Sequence, residues 1–350
     1  MNGNYGPLRD AIGTFDAASN TWKPAPPERT NYDPNKEPHA LGSVLVSAVF
    51  AAFLAIYKAR VADLTRLATN GTGVLPKGDI PADLAGRMAD EAGKVASQVL
   101  RMCIRALDYC PPIDITFGDY LRALITADRD LVPDDPRNYR VAFVAAFRDR
   151  GIYPSGVRNL SPDNLVWESP PLPLENLKGI LSKLDLNWSL DGDRHAAYDT
   201  ANRNAAVFHD WLIDPEHVSD EEFAALGFVR TPGPRQIGQV TGVLAGIEVH
   251  SVRPARRIGP DGQSRTDLVV EITQTLRDAN QFPYRGGCTL LIDLEKSAVR
   301  YFVRKRLSNP DFINKQDNYR LALSDSTLRQ NYFDEPPGGR EPFAFVHNQS

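Results

Sequence analysis

The sequence predicts an α+β protein, with an N-terminal all-α lobe followed by an α/β domain that contains an antiparallel sheet. Apolar residues repeat every three to four positions between residues 38 and 155, which is typical of amphipathic helices. Beyond Gly238 the repeat changes to two, which is typical of strands. Prolines concentrate between Pro162 and Pro173, where the helical periodicity stops. We therefore expect the boundary between the two parts to lie in this stretch.

The chain has 350 residues, of which 42% are hydrophobic and 24% charged, as in soluble globular proteins. This length suggests more than one domain. The expected organisation is an irregular lead-in (1–37), a helical lobe (38–155), a Pro-rich linker (156–178), an α/β domain (179–335) and a tail (336–350). The net charge of −4 makes nucleic acid an unlikely partner, because it provides no global basic field.

The first predicted helix begins near Pro38 and ends near Arg66. Its stretch from Leu41 to Tyr57 holds seventeen residues without a charge. A membrane-spanning helix needs about 20 apolar residues, and this stretch also contains serine, glycine and several alanines. We therefore expect a helix buried on all sides in a soluble core and no contact with a membrane.

Three more helices follow in the predicted lobe. In the second, Asp79 is the expected cap and Pro81 lies in the first turn. Thr116 begins the third, with Asp119 completing a variant of the capping box. The fourth has Asp135 as its expected cap and ends at Gly151.

In the α/β domain a long helix is expected from Arg194 to Ile213, and a short one begins at Ser219 with a second capping box. The alternating segments predict four strands: Val240–Val252, Leu268–Thr275, Cys288–Leu294 and Val299–Leu307. The last strand carries VRYFVRKR, in which basic and apolar side chains alternate. This pattern suits either a strand with one buried and one solvated face, or a surface that faces an acidic peptide or nucleic acid.

Compartment signals in the sequence are few. The three cysteines are too few for a disulfide framework and form no C-x-x-C pair, so we expect reduced thiols. The first ten residues lack the basic and apolar regions of a signal peptide. A cytoplasmic location is the expectation.

His39 is the strongest candidate for chemistry, because it stands immediately before the apolar run of the first helix. An imidazole at this place lies at the positive end of the helix dipole. Asp33 or Glu37 could orient it. The alternative is a histidine that only caps or packs. Motifs for a phosphate loop, a nucleophile elbow or an H-E-x-x-H zinc site are absent from the sequence.

Three stretches together resemble the thermolysin-like (gluzincin) zinc metallopeptidases. EPHALGS at residues 37–43 leads into an apolar helix and is similar to the V-H-x-x-(N/S)-G motif of that family. FGDYLRALITAD at residues 117–128 is similar to the helix F-x-x-A-R-x-A-(I/L)-x-x-A-D. A helix with VAAF at 144–147 and RGI at 150–152 follows, as in the family. The resemblance covers about residues 33–155.

This resemblance implies a function for His39. In the family the matching histidine donates a hydrogen bond to the oxyanion formed when zinc-bound water attacks a peptide bond, and a nearby carboxylate orients it. Here that carboxylate is Asp33 or Glu37. The implied fold is the C-terminal lobe of the family, and the implied substrate is a peptide or protein.

The family's zinc ligands and general base are missing from this chain, because they come from the H-E-x-x-H half. The expectation is therefore no cofactor in this chain alone, and zinc in the complete family enzyme. A separate or upstream zinc-binding segment would be the partner. Two hypotheses remain: the C-terminal portion of a thermolysin-like metallopeptidase, inactive alone, or a non-catalytic peptide- or protein-binding module derived from that fold.

Overall fold

The computed structural model describes residues 11–33, 36, 38–75, 78, 80–186, 194–258, 262 and 264–322. The fold class is α+β, as predicted, with a helical region followed by an antiparallel sheet. The chain divides into two compact units. Unit 1 takes in the described residues up to Cys110 together with Ile115–Trp167. Unit 2 takes in Pro111–Asp114, Glu168–Ile258 and the described residues from Gly262 onward.

Unit 1 combines a small hairpin with a group of helices. Its elements are β1 (Gly13–Asp16), β2 (Thr21–Pro24), α1 (Pro38–Ala68), α2 (Ala82–Ala106), α3 (Phe117–Leu131), α4 (Tyr139–Arg148) and α5 (Pro162–Leu165). α1 packs against α2 and α4, and α3 packs against α2 and α4. Phe143 and Phe147 of α4 and Leu121 and Leu124 of α3 are completely buried in the resulting core.

The lead-in, which was expected to be irregular, contains the hairpin of β1 and β2. The Asp16 carboxylate accepts a hydrogen bond from the backbone N of Ala18 at 3.0 Å, and Lys23 donates to it at 2.8 Å. The hydrogen bond from Lys23, followed by those from Ser19 and Ala18, lowers the pKa of the Asp16 carboxyl to about 2. Asn20 adopts the left-handed conformation that closes the turn (φ 51°).

α1 is buried on one side only, so the expectation of a helix buried all round was wrong. Val44, Ala48, Ala52 and Ile56 follow one another at intervals of four and form its buried stripe. By length and composition the segment His39–Ala68 could cross a membrane, and 28% of its most apolar window is buried in the protein. The helices that pack on α1 cover one face, and they leave the other face partly open.

A row of aromatic rings covers part of this second face of α1. Trp22 of the hairpin meets Phe50 edge-on, with the ring centroids 5.6 Å apart. Phe50 and Phe53 are also 5.6 Å apart, and Phe53 and Tyr57 are stacked at 6.2 Å. The rings therefore pack mainly against one another, and Phe50 stays half-buried.

Only some of the helix caps predicted for unit 1 are present in the structure. The capping box of Thr116 and Asp119 is present, as predicted. α2 begins after Pro81 without a side-chain cap, and Asp79 lies outside the described residues. The predicted start of the fourth helix at Asp135 was wrong: Asn138, in the left-handed conformation, is the cap residue of α4. The Asp135 carboxylate still accepts a hydrogen bond from the backbone N of Tyr139 at 2.8 Å. It therefore caps the first turn of α4 although it lies three residues before the cap position.

The segment 156–178, expected to be a linker, is packed in part. Leu165 of α5 is completely buried. The guanidinium of Arg122 lies 3.9 Å from the centre of the Trp167 ring, and the indole N–H donates to the backbone O of Tyr109 at 2.9 Å. The division between the units falls after Trp167, inside this segment.

Unit 2 is a five-stranded antiparallel meander with helices. Its elements are α6 (Leu177–Leu181), α7 (Arg194–Ile213), α8 (Asp220–Ala225), β3 (Gly233–Ile237), β4 (Val240–Ile258), β5 (Ser264–Asp278), β6 (Pro283–Asp293), β7 (Ala298–Lys305) and α9 (Pro310–Ala322). The strands lie in sequence order. The strands β4 to β6 are longer than predicted, and β3 was not predicted. The predicted tail, residues 336–350, lies outside the described residues.

The main core of unit 2 lies between the helices and the sheet. Phe208 and Leu212 of α7 pack there with Val270 of β5 and Leu290 of β6. The predicted capping box of Ser219 and Glu222 begins α8. These contacts bury an apolar face of the sheet.

Two phenylalanine substitutions test this description of unit 1. Phe147→Ala should lower the free energy of unfolding by about 3–5 kcal/mol, because it empties a completely buried site in α4. Phe50→Ala should cost clearly less, since its ring is half-buried. Denaturant unfolding of both variants measures the difference. An equal or larger loss for Phe50→Ala would mean that α1 is buried all round.

Candidate functional site

His39 lies in the first turn of α1, and it is exposed. The backbone O of His39 accepts a hydrogen bond from the Ser43 hydroxyl at 3.0 Å, one helical turn further on. The first backbone N–H groups of a helix have no partner within it, and they carry partial positive charge. The His39 imidazole is thus an exposed donor or acceptor next to a positively polarised helix end.

Of the two carboxylates proposed to orient His39, the structure describes only Asp33. Asp33 is exposed, and its backbone O accepts from the backbone N of Lys36 at 3.1 Å, which forms a turn before α1. Glu37 lies outside the described residues. Asp33 and His39 therefore stand on either side of the short segment that enters α1.

The end of α4 fixes the chain in front of α1. The backbone N of Tyr32 donates to the backbone O of Arg150 at 3.1 Å. Arg150 is itself buried, and its Nε donates to Ser47 of α1 at 2.9 Å. Gly151 has a φ of 77°, and a Cβ there would come within 2.1 Å of the backbone O of Arg29. The RGI stretch thus holds the segment before His39 against α1.

The start of α3 supports the same segment. The rings of Tyr32 and Phe117 are 5.6 Å apart. Gly118 packs so closely on Pro154 that a Cβ would lie 2.7 Å from the proline Cα. The Thr116 hydroxyl and the Asp119 carboxylate are 2.7 Å apart in the capping box. Phe117, Gly118 and Asp119 therefore each stabilise the start of α3 and its contacts.

Asp128, at the end of the same stretch, forms a buried ion pair with Arg140. Nη1 of Arg140 donates to Oδ2 of Asp128 at 2.9 Å, and both side chains are 8% exposed. Arg140 also donates to the backbone O of Val132 and of Pro133, each at 2.7 Å. Burial raises the pKa of Asp128 to about 6, because desolvation outweighs the attraction of Arg140. This pair joins the end of α3 to the start of α4.

A cleft of about 570 Å³ lies between the second half of α1 and the first half of α2. Its charged lining consists of Arg60, Asp63, Arg87, Asp90, Glu91, Lys94 and Arg137. Glu91 receives hydrogen bonds from Arg60 at 2.6 Å and from Lys94 at 2.7 Å. Arg60 also donates to the Tyr139 hydroxyl at 3.2 Å. A cleft with both signs of charge suits a polar or zwitterionic group.

The cleft and His39 lie far apart along α1. Arg60 follows His39 by 21 positions in the same helix, which corresponds to about 30 Å along the helix axis. Sequence reasoning missed the cleft, because its residues come from three distant segments. The available signal was the change within the first helix from an uncharged run to the charged residues that begin at Lys58.

The described residues do not fit a zinc site. Among them, no group of three or more His, Cys, Asp or Glu residues is placed to hold a metal ion. Cys288 is completely buried, and burial raises the pKa of its thiol to about 12, which leaves it protonated at neutral pH.

The basic strand β7 is partly engaged inside unit 2. Arg304 donates to the backbone O of Ala225. Arg300 pairs with the buried carboxylate of Asp267, which also pairs with Arg257. At least two of the four basic side chains of VRYFVRKR therefore have acceptors within the unit, which favours the interpretation of β7 as an ordinary strand.

The Asp128–Arg140 pair generates a pH prediction. A carboxyl group with a pKa of about 6 in the folded state and an ordinary value in the unfolded state destabilises the fold as pH rises from about 4 to 6. Between pH 3.5 and 7, wild type should therefore lose about 2–3 kcal/mol relative to Asp128→Asn. Urea unfolding of both proteins across this range measures it. A difference that grows in favour of wild type would show that Arg140 dominates.

Comparison with known proteins identifies no relative. No protein-family description, no curated protein and no solved structure matches this chain.

Proposed function

We propose that this chain is the C-terminal portion of a thermolysin-like zinc metallopeptidase and is inactive alone. The observation that carries the proposal is His39, exposed in the first turn of the long apolar helix α1. The segment before it is held by the end of α4 and the start of α3, which are the other two stretches that resemble the family.

On this proposal a ring N–H of His39 donates a hydrogen bond to the carbonyl oxygen of a bound peptide. The positively polarised end of α1 favours negative charge at the same place. A donor that is held before the reaction stabilises the charge that develops on the oxygen. Asp33 is the proposed orienting carboxylate, with Glu37 as the other candidate.

On this proposal zinc is supplied from outside this chain, because the sequence contains no H-E-x-x-H. The proposed partner is a separate or upstream zinc-binding segment, the proposed substrate a peptide or protein, and the proposed location the cytoplasm. No membrane and no nucleic acid belong to this proposal.

The second candidate is a non-catalytic peptide- or protein-binding module derived from the same fold. One observation favours it: the mixed-charge cleft of unit 1 can hold a polar group. On this alternative His39 is a surface histidine without a chemical role.

The metal content of the isolated chain is the first test. After purification and dialysis, elemental analysis should find well below one zinc per chain, because three ligands are needed for tight binding. Casein should remain uncleaved, with and without added zinc. One tightly held zinc per chain, or hydrolysis that a chelator abolishes, would contradict the proposal that the zinc ligands lie in a separate segment.

The second test uses the DNA around the gene. The proposal requires an H-E-x-x-H, either in frame before the first codon or in a neighbouring gene whose product is co-expressed. The complete protein should hydrolyse casein, and His39→Ala should reduce kcat about 100- to 1000-fold, because it removes one oxyanion donor. KM, zinc content and thermal stability should stay nearly unchanged, since the side chain is exposed.

His217→Ala, in unit 2, is the matched control and should keep full activity. Equal activities of the His39 and His217 variants would contradict the role of His39. A gene region without H-E-x-x-H would contradict the peptidase and favour the binding module.

A further inference from the structure

The charged cleft of unit 1 is formed by one face of each of two helices. On α1, Arg60 and Asp63 are three positions apart. On α2, Arg87 is followed by Asp90 after three positions and by Glu91 after four. Residues at this spacing lie on the same side of a helix, so the cleft receives charged side chains from both helices. Its volume of about 570 Å³ lies within the range of about 300–1,000 Å³ that is usual for small-molecule sites.

Some of these charges already neutralise one another. The side chain of Arg60 is 13% exposed, and it donates to Oε2 of Glu91 at 2.6 Å. Lys94 donates to Oε1 of the same carboxylate at 2.7 Å. Arg60 also donates to the Tyr139 hydroxyl, which donates to Gln98 at 2.5 Å. Both oxygens of Glu91 are thus engaged, and this network holds the wall of the cleft in place.

Four other charged side chains of the lining are exposed and available to a ligand. Arg87 and Asp90 on α2, and Arg137 before α4, form no ion pair or hydrogen bond through their side chains within the described part of the chain. The Asp63 carboxylate accepts from the backbone N of Leu64, its neighbour in sequence, at 2.8 Å. The cleft therefore offers two guanidinium groups and two carboxylates.

We propose that this cleft binds a short peptide with free ends, which carries one carboxylate and one ammonium group. The carboxylate pairs with Arg87 and Arg137, because a guanidinium group donates two parallel hydrogen bonds to a carboxylate. The ammonium group pairs with Asp63 and Asp90. A charged group that loses water without gaining a partner is costly, and a ligand with both signs of charge leaves none of these four groups in that state.

Other classes of ligand match fewer of these charges. The described lining holds four basic and three acidic side chains. A phosphate group would bring about two negative charges next to the three carboxylates, and a divalent cation would face the four basic groups. An apolar ligand would contact only Ala59 and Leu64 among the apolar residues of the described lining. This inference does not depend on His39 or on peptidase activity.

Calorimetric titration of the full chain with dialanine tests the class of ligand. Binding should saturate at one site with a dissociation constant of about 0.1–1 mM, as expected for so small a ligand. N-acetyl-dialanine lacks the ammonium group and dialanine amide lacks the carboxylate. Each should bind about tenfold more weakly, because it leaves charged side chains of the cleft without a partner. Alanine fills less of the cleft and should also bind more weakly, and tighter binding of alanine would overturn the assignment to a peptide.

Two arginine variants test the place of binding. Arg87→Ala should weaken the binding of dialanine about tenfold and leave the binding of dialanine amide unchanged, because the lost contact is with the carboxylate. Arg101→Ala removes another exposed arginine of α2, outside the described lining of the cleft, and is the matched control. It should bind dialanine as wild type does. Both variants should keep the melting temperature of wild type, since both side chains are exposed.

Several results would overturn the proposal. The first is a wild type that shows no saturable binding up to about 20 mM dialanine. Equal binding of dialanine and its two blocked forms would show that the ends of the peptide are not recognised. Equal affinities of the Arg87 and Arg101 variants would place the binding outside the cleft. Stronger binding of inorganic phosphate than of dialanine would show a simple anion site.

Discussion

The fold of unit 1 depends on covering one face of a long apolar helix. α1 spans 31 residues, and most of its first half is uncharged. Apolar surface of this extent has to leave water, and burial of a stripe at intervals of four is how α1 achieves it. α2 and α4 pack on that stripe, and Trp22 of the hairpin meets the ring of Phe50. The buried guanidinium of Arg150 then ties α4 to Ser47 within the stripe.

The two ends of α1 have different consequences for function. At the first end, Arg150 and Gly151 hold the entering segment, so His39 is exposed where the helix begins. At the other end the helix becomes charged, and Arg60 with Glu91 of α2 forms part of the cleft. The helical dipole adds positive polarity only at the first end. The proposed oxyanion donor and the charged cleft therefore share one helix and serve separate sites.

Local signals in the sequence predicted local structure well. The two capping boxes, at Thr116 and Ser219, need only residues three positions apart, and both are present. The burial of α1 could not be predicted, because composition does not reveal which neighbours cover a helix. The start of α4 was misplaced because Asp135 acts from outside the helix and Asn138 turns the chain. His39 was proposed from its place before an apolar run, whereas the cleft joins residues that are distant in sequence.

Hydrogen exchange along α1 tests most directly whether this helix is the core of unit 1. In buffer without detergent or lipid, the amides of residues 48–56 should exchange only when the whole unit unfolds, so their opening free energy should match that from denaturant unfolding. The amides at the start of α1 near His39 should exchange faster. Rapid exchange of residues 48–56 in buffer, with protection appearing only after lipid vesicles are added, would contradict the account and show a membrane helix.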